Sequence, residues 1–217
     1  MKSIASPVSR VLTRALAVLT LVAAPLVFAG TPLICHPYDI GTAKSLPAGP
    51  DWHGVSRNYD RTQLVGDTLA LLTPETPLMV RMETMRRAAI YATAWMRDWD
   101  KGAYTDADRA LAFGLLARLK ERANEAKGPA LALALFDVGF FTETLRQTNI
   151  DKTLDGYPTL VKAAELRGPD AEMEFALALA TSWPKRPERD AHITRARTLA
   201  KKGSLVATNL ETHFGKS

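Results

Sequence analysis

Cys35 and His36 place a thiol beside an imidazole, and Asp51, Trp52 and His53 follow within eighteen residues. A thiolate next to a base is the pairing of a cysteine nucleophile. The same side chains, with Asp51 and His53, also form a partial metal-ligand set, although zinc needs three or four ligands converging on one point. Covalent haem would want a second cysteine three positions before Cys35, where Pro32 stands. The plainer reading is a buried cysteine in an ordered segment, with Trp52 pinning a turn to the rest of the protein. Cys35, His36, Trp52 and His53 are therefore the candidate ligand-binding residues. The sequence assigns no catalytic residue, no metal and no cofactor.

Two other clusters carry chemistry-bearing side chains. Trp95, Asp98, Trp99, Asp100 and Tyr104 gather aromatic rings with carboxylates, a combination that can hold a sugar or a cation. A helix end with Trp99 in the core explains them as well. Basic residues occur at Arg86-Arg87 and at Arg189, Arg195, Arg197, Lys201 and Lys202. On amphipathic helices these form a wet face or a surface for anionic lipid. His192 and His213 lie near the apolar stripe of the last helical stretch and read as satisfied, partly buried histidines.

The segments that must position these residues differ in kind. Lys2, Arg10 and Arg14 precede the apolar run Ala15–Phe28, and Val27-Phe28-Ala29 offers small residues at a cleavage point before Gly30. This is the layout of a secretory signal. Its apolar run of about 14 residues falls short of the roughly 20 that span a bilayer. Residues 1–29 are read as a signal peptide, which places the remainder in the periplasm or outside the cell with no membrane span. Without it, 188 of the 217 residues remain, carrying 25 basic against 23 acidic side chains. That near balance implies no nucleic-acid partner. One cysteine permits no internal disulfide.

Residues 30–57 hold Pro32, Pro37, Pro47 and Pro50 among Gly41, Gly49 and Gly54. Such density resists regular helix and reads as an irregular lead-in. From residue 58 to 217 the apolar spacing is helical. Asn58 is placed to cap a first helix, and Thr76-Pro77 to start a second. Leu78, Met82, Met85, Ala89, Ala92, Met96 and Trp99 form one stripe along that second helix, with Arg81, Thr84 and Arg87 largely off it. Thr105 and Asp108 make a capping box for a third helix. The fourth, after Gly128-Pro129, is apolar on every side and belongs in the middle of a bundle. A fifth helix spans about 155–166, a sixth carries Met173, Leu177 and Ala180, and the last runs from about 187 to 214.

The fold expected is all-α, with six to seven antiparallel helices arranged as a hairpin superhelix or a compact bundle. Gly128-Pro129 and Gly168-Pro169 recur 40 residues apart, and both precede Ala/Leu alternation. On these residues the segment Ala163–Ala180 resembles a tetratricopeptide-type helical hairpin, though the Trp-Leu-Gly-Tyr signature of that repeat is absent. The resemblance implies stacked hairpins with a concave groove for an extended peptide. The function expected is a protein- or peptide-binding scaffold of the bacterial cell envelope. The alternatives are a small-ligand or metal binder, or a thiol-dependent envelope enzyme, using the region of Cys35, His36 and His53.

Overall fold

The computed structural model describes residues 31–50, 55–93 and 104–216. The expected signal segment, Asp51, Trp52, His53, Trp95, Asp98, Trp99 and Asp100 lie outside the described residues. Within them the chain is all-α, as its periodicity requires. Eight α-helices occur there, where six to seven were expected: α1 Leu64–Leu71, α2 Leu78–Thr93, α3 Asp106–Glu125, α4 Pro129–Gln147, α5 Tyr157–Arg167, α6 Ala171–Ala180, α7 Arg189–Leu199 and α8 Leu205–Phe214. The additional helix comes from a break in the final stretch. α7 ends at Leu199, where Ala200 turns extended, and after a turn through Gly203 at φ +76° the Ser204 side chain caps α8.

Helix starts show where local chemistry sets the boundaries. Asp60, not Asn58, caps the first helical turn by accepting the Thr62 N–H at 3.0 Å. Asn58 instead donates its own N–H to Ser56. Thr76 does not cap α2. Its hydroxyl donates to the Leu71 carbonyl at 2.7 Å and so closes the end of α1. The Thr105–Asp108 capping box of α3 is present in both directions.

α2 and α4 form the centre. α2 packs against α1, α3, α4 and α6, while α4 packs against α2, α3, α5 and α6. Met82, Met85, Leu115, Phe136, Phe140, Phe141 and Phe175 are fully buried between them. α4 behaves as expected, with its second half buried on every face. α2 departs from expectation: Arg81, Glu83, Thr84 and Arg86 are also buried. Arg86 is therefore no surface for lipid. It is fully enclosed, ion-paired to Glu83 at 2.8 Å, and Arg87 binds the same carboxylate at 2.6 Å.

The reason is the lead-in. Residues 31–50 are irregular, and they bury Leu33, Ile34, Tyr38, Ile40 and Leu46 in the common core. Irregular backbone buried in a core needs polar partners. Arg86 donates to the Ile34 carbonyl at 2.9 Å and Arg87 to that of Leu46 at 2.5 Å. Glu83 accepts the Tyr38 N–H at 3.0 Å, and Gln147 accepts that of Leu33 at 2.8 Å. Asn209 on α8 both accepts from the Asp39 N–H and donates to the Asp39 carbonyl, at 2.9 and 2.8 Å.

α5 packs chiefly on α4, and α6 chiefly on α7. The α4–α5 contact is set by two glycines. A Cβ on Gly156 would stand 2.1 Å from the Gly139 carbonyl oxygen, so the two backbones touch there. The second half of the protein is thus two helical pairs, α4/α5 and α6/α7, joined at Gly168-Pro169-Asp170.

Candidate functional site

The seam between these pairs is open. α5 and α7 form its walls and α6 its floor, enclosing about 630 Å³. That volume lies within the usual range for ligand sites. Val161, Ala164, Met173, Leu177, Ala191 and Leu199 give it a largely apolar lining. Leu199 on α7, which lines the groove, is 39% exposed.

One wall carries a polar chain of contacts. Tyr157, in the first turn of α5, has its hydroxyl 3.0 Å from His192 Nε2 in the first turn of α7. His192 Nδ1 lies 2.6 Å from Glu174 Oε2, and Arg195 Nε binds Glu174 Oε1 at 2.9 Å. The same Nδ1 also lies 2.6 Å from Arg195 Nη2, so it meets both a carboxylate and a guanidinium donor. The Tyr157 oxygen keeps lone pairs free to accept from an occupant. Its pKa is raised, first by burial and next by the nearby charge of Glu188.

The contacts also fix direction. α5 and α7 meet at their N-terminal ends, with α6 running the opposite way between them. The groove is closed by the Tyr157–His192 contact at one end and opens toward Gly168 and Leu199 at the other.

The groove is acidic. Four carboxylates line it, from Glu165, Asp170, Glu174 and Glu188, against the single guanidinium of Arg195. Asp170 is engaged, capping α6 and pairing with Arg167 at 2.7 Å. Glu174 holds His192 and Arg195. Glu165 and Glu188 have no ion pair among the described residues.

Cys35 and His36, two of the candidate ligand-binding residues, lie elsewhere. Cys35 is buried in the lead-in, its sulfur 3.8 Å from the Thr31 hydroxyl. His36 is partly buried, and its ring meets that of His213 edge-on at 6.0 Å. His213 stacks on Tyr38 at 5.1 Å and also touches Phe175. Burial lowers the pKa of both histidines, that of His213 to about 3, with Arg86 adding to both shifts. This is a neutral aromatic packing layer under α8. Trp52 and His53 are outside the described residues. Among the described residues no group of three or more His, Cys, Asp or Glu is arranged to hold a metal ion. No helix there is long and apolar enough to cross a membrane.

The basic face expected on the last helix is mostly engaged. Arg189 binds Ser182 at 3.0 Å and lies over the Phe214 ring, while Arg197 donates to the Phe214 and Gly215 carbonyls. His192 is satisfied and buried, as expected, but by the groove's own polar wall.

Sequence reading missed Tyr157, Glu174 and Arg195 as partners. Two signals pointed to them: His192 and Arg195 stand three apart on one helix face, and Glu174 lies between Met173 and Leu177 of an apolar stripe. No family model, curated protein or solved structure matches the chain.

Proposed function

We propose that this protein is a peptide-binding scaffold of the bacterial cell envelope, exported by its N-terminal segment, and that the α5–α6–α7 groove is its binding surface. The observation that carries the reading is the groove itself: an apolar floor between two helical pairs, closed at one end by a fully partnered polar wall. Its occupant is a short extended segment of another protein. A helix does not suit a trough that narrows to a side-chain bridge at Tyr157 and His192. An extended strand advances about 3.3 Å per residue, so four or five residues span the length of α5 that lines the groove.

The test is selection of random displayed peptides on the full chain, followed by titration of a selected synthetic peptide. Ala191 is exposed and lines the groove. Ala191→Trp would set an indole in the space and is expected to weaken binding at least about tenfold, with the helical circular dichroism unchanged. Cys35→Ser is expected to leave binding unchanged. A selected peptide that binds Ala191→Trp as well as the parent, or one whose binding needs the Cys35 thiol, overturns the reading.

A further inference from the structure

Resting on that reading, we infer that the groove selects an extended segment of the pattern basic–x–apolar–x–basic. The two carboxylates without ion pairs stand at different levels of the groove. Glu188 immediately precedes α7 and lies near the closed end, where its charge acts on the Tyr157 phenol. Glu165 is eight residues along α5 from Tyr157, toward the mouth. At 1.5 Å per helical residue, Glu165 stands about 12 Å along α5 from Tyr157, beside which Glu188 lines the groove. The apolar floor of Val161, Met173 and Leu177 lies between.

An extended chain matches this spacing. Residues i, i+2 and i+4 point to the same side of a strand, and i to i+4 spans roughly 13 Å. Cationic side chains at i and i+4 therefore reach Glu165 and Glu188, while an apolar side chain at i+2 enters the floor. Arg195 does not compete for these carboxylates, because Glu174 already holds it at 2.9 Å. An acidic segment would bring like charge against a groove with three more carboxylates than guanidinium groups.

The probe is a set of fluorescein-labelled nonapeptides with the cores Lys-Ser-Leu-Ser-Lys, Ser-Ser-Leu-Ser-Ser and Glu-Ser-Leu-Ser-Glu, titrated against the full chain. Each lysine is expected to tighten binding about two- to fivefold over serine, the range of exposed ion pairs. The advantage should shrink as salt is raised. The double variant Glu165→Lys/Glu188→Lys should invert the order and favour the Glu core. Equal binding of the Lys and Ser cores, both blocked by Ala191→Trp, overturns the charge pattern but not the groove. Binding indifferent to Ala191→Trp, or no saturation at millimolar peptide, overturns both.

Discussion

Glu143 ties the centre of the protein to the groove, and its removal is the sharpest test of how that site is held. Its side chain is fully buried on α4. One carboxylate oxygen accepts the Gly156 N–H at 2.7 Å and the Tyr157 N–H at 3.2 Å, which fixes the first turn of α5. The other binds Arg146 Nε at 2.9 Å. Arg146 in turn donates to the Trp183 carbonyl beyond α6. Glu143→Ala strands the Gly156 N–H, leaves the Tyr157 N–H only Asp155 Oδ1 at 3.2 Å, and removes the ion pair of a guanidinium that is only 10% exposed. Breaking a buried pair from one side costs about 3–5 kcal/mol. For a chain of this size that lowers Tm by roughly 6–20 °C. Glu143→Gln keeps an acceptor for Gly156 and Tyr157 and loses only the charge, so about 1.5–3 kcal/mol is expected. Adding Arg146→Ala to Glu143→Ala should cost less than the sum of the single losses, because the stranded cation is gone. Urea unfolding gives the free energies, and amide exchange at Gly156 and Tyr157 reports the fraying of α5. A Glu143→Ala cost below about 1 kcal/mol, or Gln as damaging as Ala, would refute this account.

Gly156→Ala drives a methyl into the Gly139 carbonyl, and both neighbours are backbone that cannot rotate away. A loss of at least about 1–3 kcal/mol in urea unfolding is expected, with peptide affinity falling as α5 shifts. His213, with its folded pKa near 3, is held neutral where the unfolded chain would protonate. Its contribution is present above pH 6.5 and is lost as pH falls from there toward 3, about 2 kcal/mol between pH 7 and 5. Asp137 acts in the opposite sense. Burial raises its pKa to about 6 against the pull of Arg81, so stability is gained as pH falls through 6 toward 3.8. The measurement is therefore the difference between parent and His213→Phe, whose stability gap should narrow or reverse on acidification. A gap independent of pH contradicts the buried neutral ring.

Helix class and most helix positions were legible because they rest on local signals. The Thr105–Asp108 box, Pro129 in the first turn of α4 and the apolar surround of Phe136 and Phe140 each announce themselves within a few residues. What was not legible depended on distant partners. Arg86 and Arg87 look like solvent-facing charges until Ile34 and Leu46 bring bare carbonyls to them. The expected single last helix let Gly203 weaken it without breaking it, whereas the chain leaves the helix at Ala200 and restarts at Ser204. The groove was hidden for a related reason. Met173 and Leu177 read as core, and they are nearly fully buried, yet they also form a floor because α5 turns away to pack on α4. His192 read correctly as satisfied, but the sequence could not say that Tyr157, thirty-five positions earlier, satisfies it.

The paired bonds between Asp39 and Asn209 bear on the order of events during synthesis. They join positions 170 residues apart. Closing so long a loop costs about 2.5 kcal/mol more than closing one of ten residues, more than two hydrogen bonds repay unless the intervening helices have already assembled. At 5–20 residues per second, roughly 10–30 s separate the emergence of Asp39 from that of Asn209. Throughout that interval Tyr38 lacks the His213 ring of α8 on which it stacks. The segment 31–50 is thus among the last to come to rest, and it leaves the ribosome with part of its apolar surface still unsheltered.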